Sequence, residues 1–571
     1  MESRQRPVGR RRPAAGLLSW ARKHEWLIVG LLAVLAFVLG AVGVKGLPPV
    51  DNEMPATWQD AVYFSIRLFK LDYDLQGKGV DPYAADSWML QMARVLAPLT
   101  VAFALVKGLM LATARWLNLW AISWWKGHAV VCGAGERGRQ LACALREGGW
   151  RVVVIEKDSD ADTLADVRES GARVIIGSGT DPARQKEARL QHAAIVAAVT
   201  PCEESNLEVV LAASRRPAGR SLRALAHATR PFAEMFETQA PFDRIGQGIE
   251  CRFFDHDVAA ARRLVGEYAP TLVPELRNEM RSARVLVAGD GDLLPELLAV
   301  VVTQCQYAGV RPPVVTAFVT DRDALGRRFP LHHPQLGLVA DLRVESATLP
   351  QLLRLDLMTL DPSVHDRPID LAFVACQEDI DTLSLARTLA QQSGCIAHDV
   401  IAGLRPSTQI MRLFIDKQPL AGVQSHDLVV LGCSGDVVLE ERLDQVAKRM
   451  HESYFQGQLK AGRSEGSAPA LVPWAQLPES LRQANRSQAD HLPIKRRTLA
   501  ISHSAEMIEA LAVAEHRRWM ADRIVSGWRY GPDRDDARRI HPHIRPYEEL
   551  SETEKQKDRD TVLTAMDPSN A

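Results

Sequence analysis

The stretch Val130-Val131-Cys132-Gly133-Ala134-Gly135-Glu136-Arg137-Gly138 constrains this chain more than any other part of it. An apolar run enters a turn with glycines at G-x-G-x-x-G spacing, the helix that follows ends at Gly148-Gly149, and a second apolar run, Val152 to Ile155, stops at Glu156. That order predicts a βαβ unit of the dinucleotide-binding kind. Gly133 permits a tight turn, Gly135 lets a pyrophosphate approach the backbone, and Gly138 allows the helix to pack closely. The helix start offers unpaired N–H groups and partial positive charge to a phosphate, and Arg137 can add to it.

Upstream lie two apolar segments. Trp26 to Val44 is uncharged and has about the ~20 residues that cross a bilayer. Trp88 to Trp120 is apolar but carries Arg94 and Lys107, charges that in a span snorkel, face a bundle interior or line water. The cluster Trp116, Trp120, Trp124 and Trp125 suits an interfacial belt, and the basic residues of 1–25 suit a cytoplasmic tail. The expectation is a two-helix hairpin over 26–125 in the inner (cytoplasmic) membrane, both termini cytoplasmic, with membrane lipid as a partner. All eight cysteines lie beyond it without metal-like spacing, as reduced thiols. The net charge of −1 gives no reason to expect nucleic acid, and 571 residues leave room for three or four domains.

Between the apolar segments, Thr57-Trp58-Gln59-Asp60-Ala61-Val62-Tyr63-Phe64-Ser65-Ile66 resembles the pore helix of two-transmembrane potassium channels, within a loop spanning 55–75. A potassium filter needs carbonyl oxygens on a glycine-bearing loop, whereas Arg67-Leu68-Phe69-Lys70-Leu71-Asp72-Tyr73-Asp74 follows, with no glycine before Gly77. Tyr63, Lys70, Asp72, Tyr73 and Asp74 are therefore the pore candidates. A pore of other selectivity and a non-conducting anchor both remain open.

From 126 to 270 the chain resembles the RCK or Trk-type NAD-binding domain that regulates potassium channels and transporters. The resemblance rests on the glycine turn, on Glu156, on Arg173-Val174-Ile175-Ile176 running into Gly177-Ser178-Gly179-Thr180-Asp181, and on Ala194 to Thr200 leading to Glu203, Glu204 and Asn206. Ser178 stands where the family has aspartate. The resemblance implies that Glu156 hydrogen-bonds an adenosine ribose. A free 2′-hydroxyl is thus favoured, and NAD, NADH, ATP or ADP is the expected regulatory ligand. Gly133, Gly135, Glu136, Arg137, Gly138, Glu156, Lys157, Gly177, Thr180, Asp181 and Thr200 are the candidate ligand-binding residues.

The pattern recurs over 280–457. Val285 to Asp292 repeats the first strand and turn, Val314 to Asp321 the second strand, and Ile369 to Cys376 the fourth. Leu294 replaces the third glycine, and Asp290 and Asp292 would repel phosphate, so this unit is expected to pack with the first and bind dinucleotide poorly. Tandem RCK units imply, by resemblance, a homo-oligomer, with a ring tetramer as the expected form.

Residues 458–493, with Gly462, Gly466, Pro469 and Pro473, read as a linker. Over 494–571, Ala514-Glu515-His516-Arg517-Arg518-Trp519, Ser526 to Asp536, Ile540-His541-Pro542 and Arg545-Pro546-Tyr547 resemble a ryanodine-receptor repeat (RyR) domain. Trp519, Trp528, Tyr530 and Tyr547 can stack on a purine, and Arg534 and Arg559 can meet phosphate. Asp535 and His541 complete the candidates. The same tryptophans are also needed to fill so small a core.

No GxSxG, HExxH or P-loop appears, so no enzyme is expected. The fold expected is a membrane α-helical hairpin plus α/β, with two tandem Rossmann-like (RCK) units and a small, mainly α-helical RyR domain. Its expected role is nucleotide sensing that controls a transmembrane pore, or a non-conducting nucleotide sensor or scaffold.

Overall fold

The computed structural model describes residues 25–47, 56–70, 87–215, 221–229, 232–233, 249–360, 364, 366–392, 394–406 and 408–566. The chain divides into two compact units, Met1–Ala121 and Ile122–Ala571.

In the first unit, helix Glu25–Lys45 and helix Trp88–Ser123 accompany a short helix, Trp58–Leu68. Thr57 starts the short helix through a capping box: its hydroxyl accepts from the Asp60 N–H at 3.2 Å while the Asp60 carboxylate accepts from the Thr57 N–H at 3.0 Å. Its buried face, Ala61, Phe64, Ser65 and Leu68, packs where Gly40 leaves room, since a Cβ there would lie 2.9 Å from Ser65 Oγ. Among the described residues one helix, over Trp88–Leu109, is long and apolar enough to cross a membrane; Val29–Lys45 is a shorter apolar helix. Helix Glu25–Lys45 nonetheless spans the whole uncharged run Trp26 to Val44. Leu31, Val34, Leu35 and Val38 on one helix, and Val95, Leu99, Leu105 and Leu109 on the other, are exposed. Apolar surface on that scale calls for a covering.

The second unit holds two parallel six-stranded sheets with the same strand order. One comprises β1 (Ala129–Cys132), β2 (Val152–Glu156), β3 (Arg173–Ile176), β4 (Ile195–Ala198), β5 (Leu222–His227) and β6 (Ile249–Phe254), ordered β3-β2-β1-β4-β5-β6. The other comprises β7 (Arg284–Gly289), β8 (Val314–Val319), β9 (Asp341–Ser346), β10 (Leu371–Val374), β11 (Val400–Leu404) and β12 (Val423–Asp427), ordered β9-β8-β7-β10-β11-β12. The repeat seen in the sequence is thus a repeat of topology. Continuous apolar runs such as Val152 to Ile155 suit strands covered on both faces.

The two sheets are joined by helices. Helix Leu428–Cys433 of the second sheet crosses helix His256–Tyr268 of the first. Gly432 makes this possible, since a Cβ would come within 2.2 Å of His256 O. Arg262 on helix His256–Tyr268 donates to Asp490 at 2.7 Å and to Asp444 at 2.9 Å, all three largely buried. Glu441, also buried, accepts from Arg223 on β5 and forms ion pairs with Arg252 on β6 and with Lys448.

The stretch expected as a linker contains helix Glu479–Asp490. The C-terminal domain, built on helix Ala505–Val525, shares its core with the second sheet: Ile494, Met520, Ala521, Ile524 and Ile544 lie in one apolar cluster with Val285, Val287 and Phe373. Arg517 donates from buried nitrogens to Val310 O at 2.8 Å and Tyr307 O at 2.9 Å.

Candidate functional site

In a doubly wound sheet the ligand crevice opens at the carboxyl ends of the strands, where the order reverses. Here that point lies between β1 and β4. A cleft of about 920 Å³ opens there, lined by Gly133, Gly135, Glu136, Arg137, Glu156, Lys157, Thr180 and Thr200 among others, a size suited to a small ligand.

The turn is built as its glycines suggest. Gly133 has φ +98°, and a Cβ on it would lie 3.1 Å from Thr200 N. At Gly138 a Cβ would meet Gly133 O at 1.9 Å, so only glycine lets the helix Glu136–Glu147 start this close to its strand. Around Gly135 nothing lies within 4 Å of a Cβ position, and its backbone borders the open cleft. Glu156 holds the turn from the side: its carboxylate accepts from Ala134 N–H, and from Asp158 N–H at 2.9 Å. The Thr163 hydroxyl donates to Ala134 O. Opposite, Asn206 sets the turn after β4, its Oδ1 accepting from Thr200 N–H at 2.9 Å and its amide donating to Thr200 O at 3.0 Å and His227 O at 2.9 Å.

Eight of the eleven candidates of this unit line the cleft. Gly138 supports it from beneath, while Gly177 and Asp181 stand aside. Gly177 has φ +146° and packs on Arg184; Asp181 caps helix Pro182–Glu187 through Ala183 N–H at 2.8 Å.

Several cleft residues escape sequence reasoning. His256, Arg405 and Val429 line the cleft with Arg137. Arg137 Nη1 lies 3.3 Å from His227 Nδ1, His227 Nε2 is 3.0 Å from His256 Nδ1, His256 Nε2 is 3.5 Å from Asp257 Oδ1, and Arg405 Nη2 donates to Asp257 Oδ1 at 2.8 Å. A chain of polar contacts thus runs from the helix start of one Rossmann-like unit to an arginine of the other. Burial, then Arg137 and His256, pushes the His227 imidazolium down to about 3. Burial, then Arg137 and Arg405, holds His256 well below its usual range. Both rings are therefore neutral at pH 7. Asp255, nearby, is pushed up to about 7 by burial, then Glu296 and Asp257. His227, Asp255 and His256 offer three ligand atoms within 4.8 Å, yet the imidazoles contact each other, with a guanidinium beside them, which opposes a cation there. Cys132 under the turn is buried and its thiol pushed up to about 12, an inert core group.

The corresponding turn of the second unit is closed by its own residues. Asp290 Oδ1 accepts from Gln377 N–H at 2.9 Å, and a Cβ on Gly289 would meet Ala375 O at 2.0 Å.

Of the RyR-type candidates, Trp519, Trp528 and His541 are brought together, and the others are engaged with neighbouring residues or exposed. Trp519 and Trp528 are partly buried against the shared core; His541 lies 4.9 Å from Trp519 and 6.2 Å from Trp528, ring to ring, and accepts from His543 N–H at 3.1 Å. Tyr547 is buried and donates to Glu509 at 3.0 Å, and Arg559 pairs with the same carboxylate at 2.6 Å. Arg534 pairs with Asp536 at 2.7 Å, Asp535 accepts from Arg538 N–H at 3.0 Å, and Tyr530 is exposed. In the first unit Tyr63 is exposed, with Arg67 5.8 Å from its ring, and Lys70 is exposed. Asp72, Tyr73 and Asp74 lie outside the described residues.

Residues 129–245 match the TrkA-N domain family and residues 492–567 the RyR domain family. These two stretches of the chain are thus similar to TrkA-N and RyR domains. It is also similar to solved structures of GsuK. One bound to ADP is 13% identical, covering 74% of this chain and 99% of that chain at a TM-score of 0.39. The GsuK channel bound to NAD is 12% identical, covering 76% and 85% at 0.38. The GsuK RCK domain is 12% identical, covering 56% and 78%, also at 0.38. At these scores the likeness does not establish a common arrangement of the whole chain.

Proposed function

We propose that the chain is a membrane-anchored sensor whose first Rossmann-like unit binds NAD, NADH or an adenine nucleotide and thereby controls a transmembrane pore. One observation carries this reading: the cleft of about 920 Å³ where β1 and β4 diverge, bordered by Gly133, Gly135, Arg137, Glu156 and Thr200. The TrkA-N match over 129–245 supports the same assignment. Phosphate would lie at the N-terminus of helix Glu136–Glu147 and ribose against Glu156. The chain binds and releases its ligand without turning it over. It sits in the inner membrane as a homo-oligomer, a tetramer in our reading, with both termini cytoplasmic. A ligand can act on the membrane helices only by binding two arrangements with different affinity.

The exposed apolar faces of helices Glu25–Lys45 and Trp88–Ser123 support burial in lipid. The capped helix Trp58–Leu68, packed on Gly40, supports a pore-derived origin for the segment between them. A second reading is a non-conducting anchor carrying a nucleotide sensor, favoured by the lack of any glycine from Arg67 to Gln76, where a potassium filter would need one. Conductance of the full-length protein in planar bilayers, with and without NAD, ADP and ATP, separates them. Nucleotide-dependent current supports a pore; binding without current under any condition supports the anchor.

A further inference from the structure

The cleft of the first Rossmann-like unit has a wall that belongs to the second Rossmann-like unit. Arg405 follows the carboxyl end of β11, yet it lines the cleft with Gly133, Gly135 and Arg137. Its placement is fixed twice. The Arg405 N–H donates to Asp379 Oδ1 at 2.7 Å, and its Nη2 donates to Asp257 Oδ1 at 2.8 Å. Its side chain keeps 27% of its surface exposed, against 9% for Asp257. Among the described residues the rest of the guanidinium makes no other hydrogen bond, so donors remain for a ligand. The close crossing at Gly432 and His256 keeps this wall in register with the glycine turn.

We infer that Arg405 is a ligand-binding residue of the cleft in the first Rossmann-like unit, recognising the outer phosphates of a nucleoside di- or triphosphate, so that the bound ligand touches both Rossmann-like units. This rests on the nucleotide reading above and adds a residue that no glycine fingerprint contains. Helix N–H groups and Arg137 serve the phosphate nearest the turn. An arginine contributed by the second Rossmann-like unit serves charge that a monophosphate lacks. Guanidinium suits this role because its planar fork meets phosphate oxygens in pairs. Asp257 holds the fork in place before ligand arrives, which limits the ordering cost of binding.

The test is calorimetric titration of the full-length protein in detergent with AMP, ADP, ATP and NAD, comparing the natural sequence with Arg405→Gln and Arg405→Lys. The expected result is a loss of about tenfold or more in ADP and ATP affinity for Arg405→Gln, the size of a charge-assisted hydrogen bond. AMP binding should change much less, and Arg405→Lys should recover part of the loss. An ADP-to-AMP affinity ratio unchanged in Arg405→Gln overturns the inference, whatever happens to overall affinity, since a purely structural arginine would weaken all four ligands alike. If the natural protein binds none of the four, the nucleotide reading itself fails, which is a separate result.

Discussion

Gly432 passes His256 so closely that a single added carbon would stand 2.2 Å from the His256 carbonyl oxygen. Backbone cannot yield there as a flexible side-chain tip can. Gly432→Ala should therefore push apart the helices that join the two sheets and lower stability by about 1–3 kcal/mol, the usual scale of overpacking. Denaturant unfolding of the full chain measures it, and an unchanged midpoint would mean that the crossing is slack.

Two glycines of the first turn should respond differently to alanine. Gly138→Ala sets a Cβ 1.9 Å from Gly133 O and should destabilise the turn itself, lowering the melting temperature. Gly135→Ala meets nothing within 4 Å and should fold normally, but its methyl group enters the space a pyrophosphate needs. Melting and nucleotide titration of both variants should show one losing stability and the other mainly affinity.

Arg262 bridges Asp444 and Asp490 from a nearly buried position. Removing it as Arg262→Ala leaves buried carboxylates without their cation, a loss of about 3–5 kcal/mol. Arg486, which donates to Asp444 at 2.7 Å, offsets part of this. A stability change below about 1 kcal/mol, read by chemical denaturation, would contradict the importance given to the junction.

The neutral imidazoles fix the sign of a pH effect. An unfolded histidine takes up its proton near pH 6.5, whereas burial pushes His227 down to about 3. Between those values the unfolded state holds more protons, so stability is complete above about 6.5 and falls as pH drops towards 3, by about 1.4 kcal/mol per unit for such a group. His227→Gln should flatten the decline between pH 7 and 5 compared with the natural chain. Parallel curves would indicate that His227 already protonates in the folded protein.

Much of the α/β architecture is legible in the residues because its signals are local. Glycine spacing, apolar runs bounded by Glu156, and the return of the pattern at Val285 each involve neighbours in sequence. The cleft's second wall is not local: His256, Arg405 and Val429 arrive from helix His256–Tyr268, the end of β11 and helix Leu428–Cys433, and no spacing rule joins them. Asp181 shows a local signal that has two readings. Its motif position suggests ligand contact, while an aspartate before Pro182 serves just as well to cap a helix, and that is its use here. The stretch 458–493 misleads for a third reason. Its glycines and prolines mask helix Glu479–Asp490, whose Asp490 holds Arg262.

The Arg517 guanidinium, held by two carbonyl oxygens of the second Rossmann-like unit, bears on how this tail can be handled. A chain cut before residue 492 would not be a simpler version of the protein. It would bare the greasy flank on which Ile494, Met520 and Ile524 rest, and the shortened product should clump. Grafting the tail elsewhere would strand the same surface, so this segment travels only with its neighbour.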